Sequence, residues 1–100
     1  MIRLRFCPMV AEEQMMIDFL TEEGISDGLH VSNEDGETMF DIVTESDHRS
    51  SAVNAIAKFA SATGNEFSVA FWDNADSVDD EADEYFDVEW GYKNSLLILR

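Results

Sequence analysis

Apolar residues recur with two different periods along this chain, and the order of those periods limits the folds that it can adopt. At the start, Ile2, Leu4 and Phe6 alternate with Arg3 and Arg5, which is the two-residue period of a half-buried strand. Further along, the spacing lengthens to that of an amphipathic helix. Because the chain switches between these periods more than once, it predicts a mixed structure of helices and strands.

Two segments, residues 11–23 and 47–63, have helical spacing of their apolar residues. Each is followed by a glycine, Gly24 or Gly64, that can adopt the left-handed conformation in which many helices end. We therefore predict two helices with these bounds.

The remaining apolar stretches predict strands, and polar segments separate them. Residues 33–36 read Asn-Glu-Asp-Gly, which favours a hairpin turn because Asp-Gly tolerates positive φ angles. A loop is expected over residues 73–84 and a second turn over residues 91–94. The predicted strands after the first comprise residues 29–31, 38–44, 67–72, 86–90 and 96–99.

This order of elements predicts a single α+β domain over residues 1–100. The order β-α-β-β-α-β is that of the ferredoxin-like plan, in which both helices cover one face of an antiparallel sheet. The last predicted turn and strand would add an extra C-terminal hairpin to that plan.

Charge is the most unusual property of the composition. The chain has 22 acidic residues and a net charge of −16, with a sequence pI near 4.1. Direct binding to nucleic acid or to an anionic membrane surface would be repelled, whereas a basic protein would be attracted. The six basic residues are Arg3, Arg5, Arg49, Lys58, Lys93 and Arg100.

The single cysteine bears on the cellular compartment. Cys7 excludes an intramolecular disulfide, and residues 1–10 lack the apolar core of a signal peptide, so we expect a cytoplasmic protein. Cys7 alternates with the apolar residues of the first strand, and no neighbouring motif lowers its pKa. A buried, inert thiol is therefore expected.

Residues 73–89 form the most acidic stretch, with no basic residue among them. Calcium loops of the EF-hand type require oxygen ligands at positions 1, 3 and 5 and glycine at position 6. From Asp73 the third position is Ala75, and from Asp79 the sixth is Glu84, so both registers fail. His30 and His48 also lack a second ligand at metal-binding spacing. We expect no metal, no cofactor and no catalytic residues.

A protein-binding role for this stretch follows from the spacing of its charges. Carboxylates two residues apart on a strand, such as Asp87 and Glu89, lie about 6.7 Å apart. This distance is close to the spacing between every second phosphate along one strand of a duplex. Trp72 and Trp90 flank the stretch and could anchor a protein interface. The predicted partner-binding residues are Asp73, Asp76, Asp79, Asp80, Glu81, Asp83, Glu84, Asp87, Glu89, Trp72 and Trp90.

In size and composition the chain resembles acidic nucleic-acid-mimic inhibitors of phages and mobile elements, including anti-restriction, anti-CRISPR and uracil-glycosylase inhibitors. The resemblance implies a non-enzymatic protein that occludes the basic surface of a nucleic-acid-binding enzyme. Acidic immunity proteins that neutralise basic toxin nucleases are an alternative. Two further hypotheses are a halotolerant or regulatory domain, whose acidity only maintains its solvation, and a small enzyme that uses carboxylate pairs.

Overall fold

The computed structural model of the chain describes residues 1–88, which form five strands and two helices. The elements are β1 (Ile2–Phe6), α1 (Glu13–Glu22), β2 (Leu29–Glu34), β3 (Glu37–Thr44), α2 (Arg49–Thr63), β4 (Phe67–Trp72) and β5 (Glu84–Val88). The predicted α+β class is confirmed. The predicted turn over residues 91–94 and strand over residues 96–99 lie outside the described residues.

The strands form one sheet in the order β2-β3-β1-β4-β5, and every neighbouring pair is antiparallel. Leu4 at the centre of β1 is paired with Ile42 on one side and Phe71 on the other. Because strand side chains alternate between faces, this register gathers most apolar residues of the strands on one face, whereas Trp72, paired with Arg3, lies on the opposite face.

Both helices pack on that apolar face, and their buried residues share one core with the sheet. Among the aromatic contacts, Phe6 lies 5.5 Å from Phe40 and 4.8 Å from Phe67 between ring centres. The opposite, open face of the sheet carries the side chains of the alternate residues. The helical core residues are Met16, Leu20, Ala52, Ala55, Ile56, Phe59 and Ala60, and the strand residues are Ile2, Leu4, Phe6, Phe40, Ile42, Val69, Phe71, Phe86 and Val88.

Glycine ends both helices, as the sequence predicts. Gly24 has φ 78°, its amide donates to the Thr21 carbonyl, and the Ile25 amide donates to the Leu20 carbonyl. This pair of bonds is the Schellman arrangement, and the buried Ile25 completes it with an apolar contact. Gly64, with φ 67°, ends α2 in the same left-handed conformation.

The predicted hairpin turn joins β2 to β3. Asp35 has φ 52° and Gly36 has φ 83°, so both central residues are left-handed, as a type I′ turn requires. Glu34 is then paired directly with Glu37. This register places Leu29 and Val31 on the helix-covered face.

Several predicted boundaries differ from the structure by one to three residues; for example, β2 extends to Glu34, β3 begins at Glu37 and α1 ends at Glu22. Helix α1 begins at Glu13 rather than at residue 11, and α2 begins at Arg49 after a short 3-10 turn over Ser46–His48. The predicted loop over residues 73–84 is one residue too long, because Glu84 already pairs with Phe71 as the first residue of β5. Polar residues at strand and helix ends carry no hydrophobic period, so the sequence pattern alone does not locate them.

Candidate functional site

The acidic loop, residues 73–83, connects β4 to β5 and is closed at its base by two hydrogen bonds. The Asp83 amide donates to the Phe71 carbonyl over 2.8 Å, and the Asp83 carboxylate accepts from the Asp73 amide over 2.8 Å. Inside the loop, the side chain of Asn74 accepts from the Asp76 amide over 3.0 Å and caps a short 3-10 turn. Its own side chains therefore order the loop.

The acidic loop also folds back onto the sheet. The Ala75 amide donates to the Met1 carbonyl over 2.8 Å, and the Ala75 carbonyl accepts from Nε of Arg3 over 2.9 Å. The indole Nε1 of Trp72 donates to the Asp80 carbonyl over 3.0 Å. These contacts bury Ala75 and hold the loop backbone against β1 and β4.

The carboxylates of the acidic loop remain exposed although its backbone is fixed. Within the described part of the chain no ion pair involves a carboxylate of residues 73–83. Beside the loop, Nη1 of Arg49 contacts Oε2 of Glu84 at 2.7 Å, and its guanidinium lies 4.0 Å from the centre of the Phe71 ring. The exposed set comprises Asp73, Asp76, Asp79, Asp80, Glu81, Asp83 and Glu84.

Trp72 occupies a different environment from the one expected of an interface anchor. Its side chain is buried, with 6% of the residue exposed, and the Arg5 guanidinium lies 5.5 Å from its ring centre. The ring therefore supports the acidic loop from below and is not free to enter a pocket of a partner. Tyr85, on the next strand and 59% exposed, is the aromatic residue that borders the loop at the surface.

The other predicted contact residues follow the loop on β5. Asp87 is half-buried and accepts a hydrogen bond from the Ser68 hydroxyl over 2.6 Å, so its carboxylate is held across the β4–β5 pair. Glu89 and Trp90 lie outside the described residues. The predicted carboxylate row of Asp87 and Glu89 therefore remains a prediction.

Sequence reasoning missed one cluster on the open face, where Asp41 lies between two arginines. The Asp41 carboxylate accepts from Nε and Nη2 of Arg5 over 2.8 and 2.9 Å, and Arg3 also donates to it. The hydrogen bond to Asp41 raises the pKa of Arg5. The sequence signal was a lone carboxylate between Phe40 and Ile42 in an apolar strand, but its partners become apparent only when β1 and β3 are paired.

The remaining basic side chain of residues 1–88 is also paired. Nζ of Lys58 lies 3.7 Å from Oε1 of Glu22 and 3.8 Å from Oε2 of Glu23. Arg3, Arg5, Arg49 and Lys58 thus each contact a carboxylate. The described part of the chain presents no unpaired lysine or arginine to a partner.

The expectation that Cys7 is buried is wrong, because β1 ends at Phe6 and the cysteine lies beyond it, exposed. Partial desolvation and, to a smaller extent, the nearby Glu37 carboxylate raise the pKa of Cys7. The raised pKa disfavours the reactive thiolate.

Both described histidines are also exposed, and His48 Nδ1 lies 3.4 Å from the Thr44 hydroxyl. Across residues 1–88 the structure contains no group of three or more His, Cys, Asp and Glu side chains placed to hold a metal ion. Neither helix α1 nor α2 is long and apolar enough to cross a membrane.

Comparison with known proteins gives no relative from which a function could be transferred. No family model matches the sequence, and no curated protein or solved structure matches it significantly. Any function must therefore be inferred from the chain's own residues.

Proposed function

We propose that this chain is a non-enzymatic binding protein that uses the acidic loop to occlude the basic surface of a nucleic-acid-binding enzyme. The observation that carries the proposal is the combination of a hydrogen-bonded loop backbone with exposed carboxylates that have no cationic partner among residues 1–88. A partner rich in lysine and arginine would supply the missing cations.

The fixed backbone matters because ordering a flexible loop costs free energy on binding. In this loop the hydrogen bonds at Asp73, Asp80 and Asp83 already hold the backbone in place. The charges are thus arranged before the partner arrives, as are the phosphates of a duplex. Mutual repulsion of the carboxylates destabilises the free protein, and a cationic surface relieves that repulsion.

The topology of the sheet determines where the acidic loop lies. We infer that β1, α1, β2, β3, α2 and β4 follow the ferredoxin-like plan and that β5 extends its sheet. The strand order β2-β3-β1-β4 and the shared helix face support this inference. In that arrangement the acidic loop projects from the pair of strands at one edge of the sheet.

The proposed nucleic-acid mimicry predicts binding that weakens strongly with salt, because exposed charges are screened. Proteins captured from host lysate should be identified, purified and tested by surface plasmon resonance against two variants. The loop variant replaces Asp76, Asp79, Asp80 and Glu81 with Asn or Gln. The control variant makes the same change at four scattered exposed positions: Glu12, Asp35, Glu45 and Glu66.

Both variants lose the same formal charge, so they separate a local contact from a general electrostatic effect. The loop variant should associate about tenfold more slowly, whereas the control should change association much less. Equal losses in the two variants would show that no defined loop surface makes the contact. Binding that is unchanged between low and high salt would refute mimicry.

A second candidate function is a halotolerant domain whose acidity serves only solvation. The observation in its favour is that exposed carboxylates also lie on α1, on the β2–β3 hairpin and, at Glu45 and Asp47, in the segment that precedes α2. A domain adapted to salt should lose its fold in dilute buffer and regain it as salt is added. Circular dichroism across a salt series distinguishes the two, since the binding protein should remain folded in dilute buffer.

A further inference from the structure

Strand β2 lies at the end of the sheet that is opposite to β5, and its outer edge has no neighbouring strand among residues 1–88. Four strand spacings of about 4.8 Å separate the two edges, so they lie roughly 19 Å apart. The edge of β2 and the acidic loop are therefore two separate candidate binding sites.

The turn geometry determines which backbone groups of β2 point outward. In the two-residue turn at Asp35 and Gly36, the Glu34 carbonyl and the Glu37 amide form the closing hydrogen bond. Hydrogen-bonded and non-bonded pairs alternate along an antiparallel ladder. The amides and carbonyls of Val31 and Asn33 therefore point away from β3, toward the open edge.

The side chains of the same strand residues line a groove. This edge groove lies between β2 and α1 and is lined by Leu29, Val31 and Asn33 of β2 and by Ile17 of α1. Leu29 and Val31 are half-buried against the core, so the groove has an apolar floor. An extended segment lying along β2 could bond to its backbone and place alternate side chains on that floor.

The charge of the edge groove indicates what kind of segment fits. Its ionisable lining side chains are carboxylates, Glu13 and Asp27, and both are exposed. A second copy of this chain, with a net charge of −16, would be repelled. Proteins commonly protect edge strands with proline, lysine or a bulge, but β2 contains no proline or lysine and pairs with β3 without a bulge.

We propose that the edge groove binds an extended, basic segment of a partner protein, which adds to the sheet as an antiparallel strand beside β2. Apolar side chains of the segment pack against Ile17, Leu29 and Val31, and its alternate basic side chains project from the opposite face of the sheet, beside the exposed Glu34. The carboxylates of the groove attract the basic segment at longer range. This site goes beyond the acidic loop and does not depend on it.

The test uses a short capped peptide in which valine and lysine alternate. In antiparallel pairing, the valines face the groove and their amides bond to Val31 and Asn33. Adding the peptide should slow hydrogen exchange at these two amides, which otherwise face solvent. N-methylation of the valine amides should weaken binding by about tenfold or more, whereas N-methylation of the lysine amides should leave it largely unchanged.

Two protein variants provide the matched comparison. Val31→Lys places a positive charge in the groove, whereas Ser32→Lys makes the same charge change at the adjacent position, on the opposite face of β2. Val31→Lys should abolish peptide binding and Ser32→Lys should preserve most of it. The peptide experiments on the unmodified protein remain decisive if Val31→Lys fails to fold.

Equal binding by both methylated peptides would overturn the proposal, because it would show nonspecific adsorption to an acidic protein. Unchanged exchange at Val31 and Asn33 in the presence of saturating peptide would also overturn it. The loop variant, neutralised at Asp76, Asp79, Asp80 and Glu81, should retain the exchange protection. Failure at the edge groove and failure of the acidic-loop proposal are thus distinguishable.

Discussion

Asp41 and the acidic loop hold carboxylates in opposite ways. Asp41 is 7% exposed and contacts two arginines, whereas the loop carboxylates are exposed and make no ion pair within residues 1–88. A buried charge is far more costly to leave unpaired than an exposed one. The comparison indicates that the cations of residues 1–88 are already paired with carboxylates of the chain, which leaves the excess of negative charge at the surface without an internal partner there.

The largest expected effect concerns the residue beneath the loop. Trp72→Ala should lower the free energy of unfolding by about 3–5 kcal/mol, because it removes a buried aromatic side chain and its bond to the Asp80 carbonyl. Urea denaturation measures the change. Tyr85→Ala is the control at an exposed aromatic residue and should cost much less; equal losses would show that burial beneath the loop does not make Trp72 important for stability.

Asp41→Ala tests the buried side of the comparison. The substitution leaves Arg3 and Arg5 without their shared carboxylate and should lower the free energy of unfolding by about 3 kcal/mol. This value is at the lower end of the range for breaking a buried ion pair, because both arginines are partly exposed. Glu45→Ala removes an exposed carboxylate and should change stability by less than about 0.5 kcal/mol. The account of Asp41 fails if the two variants unfold at the same urea concentration.

Asp83 lies between the two extremes, since its side chain is exposed but accepts the Asp73 amide. Asp83→Ala should cost about 1 kcal/mol, the typical contribution of one hydrogen bond. Hydrogen exchange at the Asp73 amide should accelerate at the same time. Glu81→Ala, a neighbouring exposed acid, should leave that amide unchanged, and acceleration in both variants would assign the effect to charge instead of to the bond.

The smallest effect is expected from removing loop charge alone. Neutralising Asp76, Asp79, Asp80 and Glu81 together should raise the free energy of unfolding by roughly a few tenths of a kcal/mol, because it removes repulsion between neighbouring carboxylates. The scattered control variant should gain less, since its charges are farther from one another along the chain. A destabilised loop variant would mean that these carboxylates stabilise the fold.

The sequence predicted the elements that depend on local chemistry. Gly24 and Gly64 marked the helix ends, and Asp35-Gly36 marked the hairpin, because each requires a backbone conformation that few residues tolerate. The acidic loop was also visible as a stretch of closely spaced carboxylates with no basic residue among them. These signals require no knowledge of how distant segments pair.

Three of the features that sequence reasoning missed depend on distant pairing. Trp72 looked available for an interface until the loop was seen to fold back and cover it. Asp41 had no evident partner until β1 was paired with β3. Strand β5 begins at Glu84, two residues before the predicted start, because Glu84 pairs with Phe71 across the loop. The alternating apolar residues of the sequence begin only at Phe86.

Displacement of a captured partner tests the central claim most directly. The chain is immobilised in dilute buffer, loaded with the partner, and washed either with duplex DNA or with polyglutamate of equal total charge. If the acidic loop mimics a phosphate backbone, DNA should release the partner at concentrations at least about tenfold lower than polyglutamate, because the partner's surface is built for phosphate spacing. A partner that polyglutamate releases equally well, or that binds DNA while still held by the chain, would contradict the account.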